Sequence, residues 1–161
     1  MYITYDDFVR LYGDEIREDE FNRANVKVQR ILDQYTTGID NVKKLREAFP
    51  EDKEDIAAVK ACGCSIALTL CEIGAIESGA LAAYKMDQTA NGMKGAVISS
   101  MSAGNESISY ATGGGDTLIE KAATDAQAKN ALIADTVRAY LSGVTDKNGI
   151  NLLYMGRYPG R

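Results

Sequence analysis

Histidine and tryptophan are absent from this chain, and proline occurs only twice. Without histidine the commonest general base near neutral pH and the commonest metal ligand are both missing. A serine nucleophile would then need a lysine partner, and no S-x-x-K motif occurs. So few prolines beside fifteen glycines predict long regular elements with a few sharp breaks. Cysteine is also scarce: Cys62, Cys64 and Cys71 all fall in one predicted helix. Cys64 and Cys71 are seven residues apart, so helical rise separates their Cα atoms by roughly 10 Å, too far for a disulfide. Cys62 and Cys64 point to different sides. A C-x-C pair with no further cysteine or histidine is not a zinc site. All three read as small buried hydrophobes, and an odd number of thiols suits a reducing cytoplasm. Tyr2 to Glu20 is polar and acidic, so no signal peptide is expected there. The longest charge-free run before residue 95 is Ala61 to Cys71, too short to span a membrane.

What remains is ample for a core. The 161 residues are 45% hydrophobic and 25% charged, which fits one folded domain with extensions. The net charge of −5 argues against a dedicated nucleic-acid binder, whose affinity would come from Lys and Arg on phosphates.

Helical periodicity dominates the chain. Thr4 and Asp7 form a capping pair for a short helix whose inner face carries Tyr5, Phe8, Leu11 and Tyr12, and Gly13 ends it. A second helix runs from about Arg17 to Tyr35. Phe21, Ala24, Asn25, Val28, Ile31, Leu32 and Tyr35 form its stripe, acidic residues fill its first turn, and Gly38 closes it. Asp40 to Phe49 is a shorter candidate with Val42, Leu45 and Phe49 on one side. Pro50 breaks it and opens the longest helix, which reaches about Tyr84. Ile56, Val59, Gly63, Ile66, Leu70, Ile73 and Glu77 mark one stripe of that helix. Gly63, Gly74 and Gly79 each lower helicity by about 1 kcal/mol relative to Ala. Tight helix–helix packing explains such glycines better than a hinge. A final helix, capped by Thr117 and Glu120, continues to Leu141. Leu118, Ile119, Ala122, Ala126, Ile133, Val137, Tyr140 and Leu141 are its buried stripe, and Gly143 ends it.

Two stretches are not helical. Gly95 to Gly115 mixes Val97, Ile98, Ile108 and Tyr110 with serines, has a turn signal at Gly104-Asn105, and ends in Gly113-Gly114-Gly115. It reads as an extended arm or β-hairpin over about residues 96–111. The tail from Val144 to Arg161 is irregular, with turn signals at Asn148-Gly149 and Pro159-Gly160. Its apolar cluster of Leu152, Leu153, Tyr154, Met155 and Tyr158 should dock on its own body or on a neighbour. The expected fold is therefore mainly α. A helical bundle with long central helices spans 1–143, including the arm at 95–115, and a docking tail spans 144–161.

No stretch carries a catalytic, cofactor-binding or metal-binding motif. The triple glycine lacks the lysine and the preceding strand of a phosphate loop. Ser99, Ser100, Ser102, Ser107 and Ser109 read as solvent-facing residues of an exposed strand. Glu51, Asp52, Glu54 and Asp55 read as a dipole-matched helix start and lack the calcium-loop pattern. Arg157 and Arg161 offer a weak contact for DNA or an acidic partner.

The layout resembles the head–tail connector (adaptor) proteins of long-tailed phages and prophages. Three pieces carry the likeness: the opening Ile3-Thr4-Tyr5-Asp6-Asp7-Phe8, the segment Ile98 to Tyr110 (ISSMSAGNESISY), and the ending Leu152-Leu153-Tyr154-Met155-Gly156. Met101, Asn105 and Met155 depart from the charged residues usual at those places, which puts particular ion pairs between subunits in doubt. The resemblance implies a non-enzymatic virion protein without cofactor or membrane contact. It would be assembled in the bacterial cytoplasm and located at the head–tail interface. Its partners would be its own copies in a ring of about twelve, the portal protein above, and a head-completion or tail protein below. Genomic DNA would pass through without sequence-specific binding. An alternative reading is a small helical binding or regulatory module of a mobile element.

Overall fold

The structure, a computed structural model, describes residues 1–89, 100–103, 106–109 and 117–159. These are mainly helical: α1 (Tyr5–Tyr12), α2 (Glu18–Thr36), α3 (Lys44–Glu47), α4 (Lys53–Thr89), α5 (Leu118–Thr124) and α6 (Ala126–Leu141). Two four-residue strands, β1 (Ser100–Ala103) and β2 (Glu106–Ser109), pair antiparallel with Met101 opposite Ile108. The turn at 104–105, the glycine joint at 113–115 and most of the rest of 95–115 lie outside the described residues. The chain divides into two compact units, one of residues 1–71 with 130–161 and the other of residues 72–129.

The first unit is built on local signals that the sequence states clearly. Thr4 caps α1, its hydroxyl accepting from the Asp7 amide while the Asp7 carboxylate accepts from the Thr4 amide. Gly13 ends α1 at φ +75°, a conformation that favours glycine. Phe8 and Phe21 are fully buried with ring centroids 5.5 Å apart, and Tyr5 and Tyr12 flank them. The α2 stripe is buried at Phe21, Ala24, Asn25, Val28 and Leu32. Phe21, Ala24, Val28 and Leu32 join Ile3, Val59, Cys62, Cys64, Ile66 and Ala67 with Ile133, Val137, Leu141 and Leu152 in one core. Full burial of each large aliphatic stabilises by about 1.5–3 kcal/mol.

Several local readings need correction. Leu11 is 52% exposed, not inward. The candidate helix over Asp40–Phe49 shrinks to the single turn of α3, because Asn41 adopts φ 60° and the Asp40 side chain accepts from the Val42 amide. Pro50 does not open α4. Asp52 does, its carboxylate accepting from the Glu54 and Asp55 amides at 2.8 and 3.3 Å. Thr37, not Gly38, is the C-cap of α2. Gly38 meets a different demand, since a Cβ there would sit 2.7 Å from the Gly156 carbonyl oxygen. The final helix is not continuous. Asp125 takes extended φ and ψ, caps the end of α5 through its amide, and accepts from the Gln127 amide to start α6. An aspartate that can serve both ends competes well with one more helical turn. The break changes the facing of the stripe, leaving Leu118, Ala126 and Tyr140 exposed.

The three glycines of α4 divide. Gly63 is buried, and a Cβ on it would lie 2.7 Å from Ile3 Cγ2. Nothing lies within 4 Å of a Cβ at Gly74 or Gly79, and α4 runs through both without a break. Tight packing therefore holds at Gly63 alone. By length and composition, Lys53–Gly79 is one helix long and apolar enough to cross a membrane, although its longest charge-free run is short. Its first half spends that apolar character in the core, through Val59, Cys62, Cys64, Ile66 and Ala67.

In the second unit, Thr117 and Glu120 form the expected capping box of α5. Ile73 and Ala122 are buried there, and Lys129 pairs with Glu77 at 3.6 Å.

Candidate functional site

An extended polar network among the described residues lies where the C-terminal segment meets the loop after α2. Leu152 is fully buried in the helical core and anchors the segment. Lys44, in α3, is also fully buried, an uncommon fate for a lysine. Its Nζ donates to the Leu152 carbonyl at 2.9 Å and to the Tyr154 carbonyl, and lies 5.9 Å from the centroid of the Tyr154 ring. Burial lowers the Lys44 pKa, and the charges of Asp146 and Asp40 partly offset that.

Further bonds extend the clasp. The Ile39 amide donates to the Met155 carbonyl at 3.1 Å, and the Tyr158 amide donates to Asp40 Oδ2 at 2.6 Å. That amide is the chief reason the Asp40 pKa is held below the ordinary carboxylate range. The Tyr158 hydroxyl donates to Asp146 Oδ2 at 2.6 Å. Asp146 is buried and also accepts from the Asn148 and Ile150 amides, so it shapes the turn at Gly149, where φ is +75°. Asp55 Oδ2 accepts from both the amide and the hydroxyl of Thr145. The apolar tail docks on its own body through these contacts.

Two more charge clusters stand in the same unit. The Asp33 carboxylate, nearly buried, accepts from the Tyr2 hydroxyl at 2.5 Å and pairs with the Arg46 guanidinium at 2.5 Å. Burial, together with Asp33, pushes the Tyr2 phenol well above its ordinary value, so it stays neutral as a donor. A recess of about 460 Å³ beside the cluster is lined by Met1, Tyr2, Gln29, Leu45, Arg46 and Phe49. Tyr2 and Phe49 stack there with centroids 6.1 Å apart. Lys60 reaches Asp7 at 2.8 Å. Burial acts to raise the Asp7 pKa, but Lys60 and the Thr4 donors outweigh it and hold it low. Each of these clusters ties separate segments together: Tyr2 to α2 and α3, α1 to α4, and the tail to α3 and its loop.

The residues weighed from sequence are not brought together. Cys62 and Cys64 are buried, and burial pushes their thiols up to about 12 and about 11, which keeps them unreactive. Of the acidic run, Asp52 caps α4 and Asp55 holds Thr145. Arg157 is exposed. Gly113 to Gly115, Arg161 and the side chains of Ser99 to Ser109 lie outside the described residues. Among the described residues, no group of three or more His, Cys, Asp or Glu is placed to hold a metal ion. Lys44, Asp33 and Asp146 escape a reading of the sequence because their burial arises from segments more than a hundred residues apart, or across helices, with no local motif.

No protein-family model matches the chain, and neither a curated protein nor a solved structure matches it.

Proposed function

We propose that this chain is a structural subunit of a phage head–tail connector, a ring beneath the portal that extends the DNA channel toward the tail. The observation that carries the proposal is the ending Leu152-Leu153-Tyr154-Met155-Gly156. It resembles the close of that family and is here a built element, with Leu152 in the core and two of its carbonyls on Lys44. The order of parts supports the same reading: a capped opening helix at Thr4, then the 19 residues of α2, the single turn of α3 and the 37 residues of α4. On this view 95–115 is an extended arm or β-hairpin whose unpaired edge finds its partner on a neighbouring subunit. Closure of identical heterologous contacts then makes the ring. The acidic balance suits a conduit through which DNA slides without sticking. The protein has no catalytic task on this reading, and it resides in the virion.

Co-expression with a portal protein from the same genome tests the proposal. Co-purification of the two as one large particle is expected. Failure to join a portal complex under any condition would sink it. Deleting Ser99 to Ser109 should leave the helical circular dichroism intact and abolish assembly. Loss of the fold would instead put the arm in the core.

A further inference from the structure

We propose that residues 152–158 form a strap that opens as one unit while the helices stay folded, with Lys44 as its latch. The strap's apolar anchoring is confined to its first two residues. Leu152 is fully buried and Leu153 packs half-buried on the same core, whereas Tyr154 and Met155 are 48% and 46% exposed. Past Leu153 the closure rests on polar bonds. They include the Lys44 bonds to the Leu152 and Tyr154 carbonyls, the Ile39 bond to Met155, the Asp40 bond to the Tyr158 amide, and the Tyr158 hydroxyl's bonds with Asp146 and Asn148. Segments held by hydrogen bonds with little apolar burial open at lower free energy than the core to which they are attached.

Lys44 is the centre of this set because its dependence on the strap is mutual. Both hydrogen bonds of its ammonium go to strap carbonyls. The charged groups facing it are Asp40 from the loop after α2 and Asp146 from the turn before the strap, the latter shared with Tyr158. With the strap closed, a buried cation is satisfied; with the lysine removed, two strap carbonyls lose their donor. Gly38 is the second condition for closure, since any side chain there would press on the Gly156 carbonyl.

Amide hydrogen exchange on the full chain tests the latch, comparing wild type with Lys44→Met. The reporters are the amides of Ile39 and Tyr158, which bond to or from the strap, against Val28 and Leu32 inside α2. Both strap reporters should accelerate together by at least about tenfold, while the α2 amides change by less than about threefold. Equal acceleration of α2, or loss of helical circular dichroism in Lys44→Met, would make Lys44 a foundation of the core and overturn the proposal. So would unchanged strap reporters. Gly38→Ala gives an independent check without removing a buried charge, and it should accelerate Tyr158 to a similar degree. A protected Tyr158 amide in Gly38→Ala would show that the segment does not open as a unit.

Discussion

The same substitution, glycine to alanine, should act in opposite directions at two positions of α4. At Gly74 a Cβ meets nothing within 4 Å, and the backbone is helical. Gly74→Ala then gains only the propensity difference, about 1 kcal/mol of added stability. At Gly63 the same gain is opposed. The new methyl would lie 2.7 Å from Ile3 Cγ2 and 3.6 Å from Leu32 Cδ1, and both residues are fully buried. Ile3 Cγ2 is a branch on a stiff β-carbon rather than the loose end of a long side chain, so relief requires moving the Ile3 backbone or α4 itself. Overpacking of this kind costs about 1–3 kcal/mol. The net change is a loss of up to about 2 kcal/mol, and the two variants should differ by about 1–3 kcal/mol. Urea unfolding followed at the helical circular dichroism band measures both, provided the slope of each transition matches wild type. In a chain of this size each kcal/mol moves the midpoint of thermal unfolding by about 2–4 °C, so Gly74→Ala should melt above wild type and Gly63→Ala at or below it. Adding Ile3→Ala to Gly63→Ala should give a double variant more stable than the sum of the single effects, by about 1–3 kcal/mol. If Gly63→Ala proves as stabilising as Gly74→Ala, the close approach of Ile3 to α4 is wrong.

Leu152→Ala should destabilise the chain by about 2–5 kcal/mol, because it empties a fully buried site; denaturant midpoints read this directly. Acid should weaken the fold through Asp7. Its folded pKa is depressed, so its stabilising contribution is complete above the ordinary carboxylate value of about 4 and is lost as pH falls through the folded value. Asp7→Asn should flatten the stability profile in that acid window, and an unchanged profile would remove Asp7 from the account. Native thiol labelling at pH 8 should leave Cys62 and Cys64 unmodified, given thiols raised to about 12 and about 11, until denaturant exposes them.

Elements whose signals are local were legible in the sequence. The capping boxes at Thr4 and Thr117 and the stripe of α2 follow from residues three or four apart, and the structure has them as read. Places where two local signals compete were not legible. Asp125 sits inside a continuous helical pattern, yet an aspartate able to cap both neighbours divides it. Asn41 and Asp40 turn a helical-looking stretch into a loop, and that loop receives the tail. The role of Gly38 was invisible because its neighbour, Gly156, lies 118 residues away. Nothing local marks Lys44 for burial, and only the arrival of the Leu152 and Tyr154 carbonyls satisfies it there.

The core that unites Ile3 and Phe8 with Val137, Leu141 and Leu152 has a consequence for synthesis on the ribosome. The first 71 residues emerge with their apolar stripes in place, but part of the core they build, Ile133, Val137, Leu141, Val144 and Leu152, is encoded after residue 130. All of residues 72–129 must be made before α6 and Leu152 reach the tunnel exit. Until then the nascent chain presents Phe21, Val28, Leu32 and Ile66 to the cytosol without their complete set of neighbours. A stalled or truncated product lacking residues past 130 should therefore be a target for chaperones and proteases, while the finished chain escapes them.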